Sequence, residues 1–273
     1  MSGIYIPAMK PEDWSHFVAE PKHWKKGYSA MSLAMCWQEA DGFPDSVTTV
    51  FKQSAHTLFH DIEMLLAIPE HQVPLPGGPA SSQNDIFVLA KGEGQLISIT
   101  VEGKVSEPFG GKSVSDWYKN PSLGKMKRLK FLCCELDIGT DDLMDVRYQL
   151  LHRTVSAIIE AKRFNAPNAL MMIHSFSQTN EWFDDFAAFA KLFGVVPRIN
   201  TVHSAGNMRG INLYLCWVKG DKKYLSMKPA SKVIRGTVAP RKCECCGHHE
   251  IGVTTVAGDY IPLKTGMKVE VQV

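Results

Sequence analysis

Two acids and a lysine stand out in the first half of this 273-residue chain. Asp85 opens a β-branched, apolar run from Asp85 to Lys91, and Glu102 and Lys104 lie near the end of a second, from Gln95 to Val105. Gly92-Glu93-Gly94 between the runs is a hairpin signal. A hairpin sets the start of one strand beside the end of its partner, so Asp85 is expected near Glu102. Glu102 and Lys104 are two residues apart and project from one face of their strand. Two carboxylates meeting at a sheet edge suit Mg²⁺ (or Mn²⁺), a hard cation that takes few carboxylates, several waters and substrate phosphate oxygens. Such a cation lowers the pKa of a bound water and offsets charge developing on phosphorus. Lys104 would activate or orient that water, or stabilise the phosphorane. The plainer alternative for the same residues is a cross-strand salt bridge on a solvated face, worth about 0.2–1 kcal/mol.

The surrounding pattern predicts the elements that hold these residues. Ser29 to Glu39 reads as a helix stopped by Gly42-Phe43-Pro44, and a second helix is expected from about Val47 to Leu66, ahead of Pro69. A turn-rich passage, Pro74 to Pro79, precedes the hairpin. Lys112 to Lys130 reads as loop and Leu129 to Leu136 as a strand. Asp141-Asp142 open a long helix, with Leu143, Val146, Leu150, Ala157, Ile158 and Ala161 near helical spacing and Asn165-Ala166-Pro167 at its end. Strands at Ala169 to His174 and Ile211 to Val218 flank a helix at Glu181 to Phe193. The expectation is an α/β fold, a mixed central sheet flanked by helices. Residues 1–46 read as a helical extension and 47–218 as the core. Residues 219–273 read as a basic connector with a small β-rich Cys/His tail.

The order helix, three-stranded meander, helix, strand, with Asn84-Asp85 and Glu102-Gly103-Lys104 on the hairpin, resembles the PD-(D/E)XK nuclease superfamily, the restriction-endonuclease-like fold. The resemblance covers about Val47 to Val218, with Asn84 where the family motif has Pro. It implies Asp85 and Glu102 as Mg²⁺ ligands and Lys104 as the residue acting on the attacking water. Many members add an acid from the helix before the meander, which His60-Asp61-Ile62-Glu63-Met64 offers as Glu63, with Asp61 second. Some carry a Gln on the following helix, here Gln149. Arg153, four residues on, shares that side of the helix and stands where some branches have Tyr. It is suited to a bidentate contact with a scissile phosphate. The implied activity is metal-dependent hydrolysis of phosphodiester bonds in DNA, most simply by a homodimer where both strands are cut. A catalytically inactive member of the same fold, binding nucleic acid or protein, is the alternative.

Charge and cysteines complete the reading. The net charge of +2 names no partner, but its distribution is uneven. Lys112, Lys119, Lys125, Lys127, Arg128 and Lys130 face the single acid Asp116, and Lys219 to Lys242 is similarly basic. Both stretches suit phosphate-backbone contact, Lys112 included, or are simply solvated faces. Phe109-Gly110-Gly111-Lys112-Ser113 lacks the upstream Gly of a phosphate-binding loop, which disfavours an ATPase. Cys243 and Cys246 have the C-x-x-C spacing of a zinc knuckle, with His248 and His249 as candidate further ligands. The alternative is a reduced, exposed cysteine cluster. No apolar run approaches the roughly 18 residues of a membrane span. With no signal-peptide pattern at the N-terminus, a reducing cytoplasmic setting is expected.

Overall fold

The computed structural model describes residues 10–16, 24–140, 143–227, 233–242, 249–255, 260–262 and 268–271. Two compact units divide the chain, Met1–Lys228 and Pro229–Val273. In the first, strands β1 (Glu63–Val73), β2 (Ser82–Gly92) and β3 (Gln95–Lys104) form an antiparallel meander. Strand β4 (Asn168–Ser175) runs parallel to β3, and the sheet ends with β5 (Thr201–Met208) and β6 (Ile211–Lys219) in the order β1-β2-β3-β4-β6-β5. A parallel strand next to its predecessor needs a crossover. Three helices supply it: α3 (Val114–Tyr118), α4 (Leu123–Leu136) and α5 (Tyr148–Arg163).

Helices cover both faces, as the unbroken apolar character of β4 requires. On one side α4, α5 and α6 (Phe183–Lys191) pack on Ala169, Met171 and Ile173 of β4 and on Leu213, Leu215 and Trp217 of β6. On the other, α1 (Ser29–Glu39) and α2 (Asp45–Lys52) pack on Ile97, Ile99 and Val101 of β3 and on Leu170 and Met172 of β4. A short helix α7 (Lys223–Ser226) ends this unit. The second unit holds β7 (Val233–Lys242), β8 (His249–Thr255), β9 (Tyr260–Pro262) and β10 (Lys268–Val271), a four-stranded sheet in the order β10-β7-β8-β9. Of the expected zinc ligands, Cys243, Cys246 and His248 lie outside the described residues, and His249 begins β8 opposite Lys242. Among the described residues no helix is long and apolar enough to cross a membrane.

The mixed α/β sheet agrees with the sequence reading, but the meander is shifted along the chain by one strand. The expected helix from Val47 to Leu66 is instead the short α2, a 3₁₀ turn at Thr57–Phe59 and then β1. Pro69, taken as a helix break, sits within β1 opposite Ile86. An edge strand tolerates it because one side of its backbone has no ladder partner. The expected strand from Leu129 to Leu136 is the C-terminal part of α4. Ser122 caps that helix by accepting a hydrogen bond from the Lys125 N–H, and Arg128, Leu129, Leu132 and Leu136 form its buried stripe. The helix expected from Asp141 begins at Tyr148, after an irregular approach in which Leu143 and Val146 are already buried. Strand β5 was not expected at all.

Candidate active site

Strand β3 alternates strictly. Ile97, Ile99 and Val101 point into the α1–α2 core, whereas Ser98, Thr100, Glu102 and Lys104 share the face toward α5. Ser98 Oγ donates to the Ala157 carbonyl at 2.8 Å and Thr100 Oγ1 to the Arg153 carbonyl at 3.0 Å, which docks the helix on the strand. Along the same line, Glu102 and Lys104 meet the side chains of Arg153 and Gln149. Ser98, Thr100, Glu102 and Lys104 are all buried, Glu102 and Lys104 to 3% exposure each.

At the other strand, Ile86 pairs with Val101, so Asp85 and Glu102 follow as neighbours across β2 and β3. Asp85 Oδ2 accepts the Gly103 N–H at 2.7 Å. Gly103 is closely packed: a Cβ there would lie 3.2 Å from Leu33 Cδ2 of α1 and 3.3 Å from Asp85 Oδ2, so these side chains would have to give by a few tenths of an ångström. Glu102 accepts from Lys104 Nζ at 2.8 Å through Oε1 and from Arg153 Nε at 2.6 Å through Oε2. The Lys104 ammonium also donates to Gln149 Oε1 at 3.3 Å and lies 4.9 Å from the Phe109 ring centre. Arg153 Nη1 donates to Ser82 Oγ at 3.1 Å, and that hydroxyl is 2.8 Å from His152 Nδ1.

A cavity of about 650 Å³ opens at this cluster. Asp85, Glu102, Lys104, Gln149 and Arg153 are all there, as expected from the sequence. Glu63 is not. It is exposed at the start of β1, paired with Lys91 at the opposite end of the hairpin from Asp85, and Asp61 is exposed in the preceding turn. Both were placed by a helix that does not exist. Lys112 lies exposed just past Gly110 and Gly111, which form the cavity rim in left-handed conformation (φ 60° and 69°), and its carbonyl accepts the Tyr148 N–H.

The acid that β1 does contribute is Glu70, which the sequence reading missed. It lines the cavity, accepts a 2.6 Å hydrogen bond from Gln83 Nε2, and adopts a left-handed backbone (φ 53°) rare for a residue with a Cβ. The signal for it in the sequence is its place after Pro69, on the strand that sets it opposite Asp85.

Electrostatics separate the three acids. Burial alone would raise Glu102, but the Lys104 and Arg153 cations outweigh it and hold the carboxyl at about 2. Asp85 is pushed well above the ordinary carboxylate range by burial and then by the charges of Glu102 and Glu70. Burial, reinforced by Glu102, lifts Glu70 to about 7 despite the Gln83 hydrogen bond. Burial, with Arg153 adjoining, depresses His152 well below its usual value. No ion pair reaches Asp85 among the described residues. The cavity therefore holds a carboxyl whose surroundings disfavour its ionised form and that a cation would restore.

Among the described residues no three His, Cys, Asp or Glu side chains are grouped to hold a metal ion. A hard cation that keeps most of its waters needs only one or two carboxylates, and the all-oxygen pair Asp85 and Glu102 fits Mg²⁺ or Mn²⁺ on that basis.

An α/β sheet with acids and a lysine gathered where β2 and β3 meet α5 defines the class of site. The family model for a domain of unknown function, DUF6946, matches residues 7–222, and the chain belongs to that family. No curated protein and no solved structure matches the chain.

Proposed function

We propose that the chain is a Mg²⁺-dependent phosphodiesterase of the PD-(D/E)XK type acting on nucleic acid, with DNA as the substrate. The observation that carries this reading is the convergence of Asp85, Glu102 and Lys104 with Gln149 and Arg153 in one cavity. Asp85 and Glu102 would hold the ion. When bound, it supplies charge neutralisation at the phosphate and a more acidic water. Lys104, fixed by Glu102 and Gln149, presents an ammonium that donates hydrogen bonds to the attacking water and to the phosphoryl oxygens as charge builds on them. Arg153 offers the guanidinium geometry that matches a phosphodiester. Gln149 positions Lys104 through its side-chain oxygen. Lys112 and the exposed lysines of α4 add sequence-independent attraction for a polyanion.

Cleavage of plasmid and single-stranded DNA is assayed with Mg²⁺, Mn²⁺ or EDTA, comparing wild type with Lys104→Ala. Metal-dependent cutting reduced by roughly two to four orders of magnitude in the variant supports the assignment. Equal metal-dependent cutting by both proteins refutes the role of Lys104. A second reading, a non-catalytic binding module, is favoured by one observation: both oxygens of Glu102 are already engaged by cations. It predicts DNA binding without cutting under every metal condition.

A further inference from the structure

Glu102 is the pivot of the cavity, and each of its oxygens faces a different cation. Lys104 Nζ holds Oε1 at 2.8 Å, and Arg153 Nε holds Oε2 at 2.6 Å. A guanidinium and a divalent cation repel one another and want the same carboxylate oxygen. Lys104 has little freedom to yield, since it reaches Glu102 from two residues away on the same strand and is tied to Gln149 and the Phe109 ring. Arg153 comes from a different element. Its other side-chain hydrogen bond among the described residues runs from Nη1 to the Ser82 hydroxyl at 3.1 Å, and its charge also acts on Glu70 and Asp85. A guanidinium fork accepts a phosphate in place of a carboxylate with the same donors.

From this geometry we infer that Arg153 and a divalent cation compete for Glu102, and that a phosphate entering the cavity draws Arg153 away and so admits the cation. Arg153 is then a coupling residue, bound to Glu102 in the empty cavity and to the substrate in the loaded one. Linkage requires the effect to be mutual: substrate tightens the cation by the same factor that the cation tightens substrate. The inference rests on the metal-dependent reading above and adds to it a positive coupling between phosphate and metal carried by Arg153.

Mn²⁺ is titrated calorimetrically into metal-free wild type, Arg153→Met and Arg153→Lys, with no nucleic acid present. Arg153→Met is expected to bind Mn²⁺ on the order of tenfold more tightly, equivalent to about 1.4 kcal/mol. Arg153→Lys stays near wild type, because a cation still faces Glu102. Equal affinity in wild type and Arg153→Met, or equal tightening in both variants, overturns the inference. Should Arg153→Met fail to fold, the wild type decides. A bound short DNA duplex must tighten Mn²⁺ by a factor in the range of roughly 5–150 typical of coupled sites, and an unchanged affinity overturns the inference. Absence of Mn²⁺ binding in every form, with and without duplex, overturns the metal-dependent reading itself.

Discussion

Glu70 gives the fold a pH dependence of unusual sign. Its carboxyl stands at about 7 in the folded chain against an ordinary 4.5, raised first by burial and then by Glu102. A carboxyl raised on folding binds its proton more tightly in the folded state, so it contributes stability below the unfolded value that is lost as pH climbs through the folded one. Between pH 5.5 and 8 the Glu70 share of that loss is about 2 kcal/mol, integrated from the two values at ~1.36 kcal/mol per pH unit. Asp85, also raised, acts in the same direction. His152 and His174 act oppositely: burial keeps both neutral, His174 at about 3, so they cost stability as pH falls below the ordinary histidine value. Wild type alone would therefore show a mixture. The difference between wild type and Glu70→Gln reads Glu70 together with the part of the Asp85 shift that its charge causes, since the remaining titrations are common to both. Urea unfolding of metal-free protein at pH 5.5 and 8 measures it. The wild type should lose about 2 kcal/mol more than the variant over that interval. Equal losses, or a larger loss in Glu70→Gln, would refute the placement of Glu70 beside Glu102 in a buried cavity.

Two further outcomes test parts of the structure away from the acids. Arg128 is buried in α4, and its guanidinium donates to the carbonyls of Leu75, Pro76, Gly78 and Ala80, the loop that leads into Ser82, Gln83 and Asp85. Arg128→Met should cost about 2–3 kcal/mol in urea unfolding and open residues 74–80 to limited proteolysis, and an unchanged digestion pattern would contradict the latch. Glu63→Gln, at the exposed far end of β1, should leave any metal-dependent cleavage within about twofold of wild type, a surface effect under ~0.5 kcal/mol, and a larger loss would return Glu63 to the site.

The strongest local patterns of the sequence carried over to the structure. Strict alternation in Ser98-Ile99-Thr100-Val101-Glu102 names both the strand and its two faces, and Gly92-Glu93-Gly94 fixes its register against β2. Together they account for Asp85, Glu102 and Lys104. The four-residue spacing of Gln149 and Arg153 survives even though α5 starts later than expected. What misled the reading was context. Pro69 ends a helix by local rules, yet is tolerated in β1 because that strand is an edge, and edge position is a property of the whole sheet. Glu63 was selected by that error and Glu70 hidden by it. The apolar run Phe131-Leu132-Cys133-Cys134 looks like a strand in isolation, but Ser122 caps a helix nine residues upstream. Strand β5 alternates poorly and carries a register shift between Ser204 and Gly206, so no period marks it.

The hydroxyl contacts between β3 and α5 have a metric consequence. Two residues of strand advance about 6.6 Å, and four residues of helix advance about 6 Å. Ser98 and Thr100, two apart, reach carbonyls four apart, Ala157 and Arg153, and Glu102 and Lys104, two apart, reach side chains four apart, Arg153 and Gln149. Strand and helix are nearly commensurate over this stretch and mesh as a toothed pair. A slip of one residue along α5 would turn Gln149 and Arg153 through about 100° and carry them about 1.5 Å along the axis, out of reach of their partners. Two hydroxyls at one end of the strand thus index the charged groups at the other.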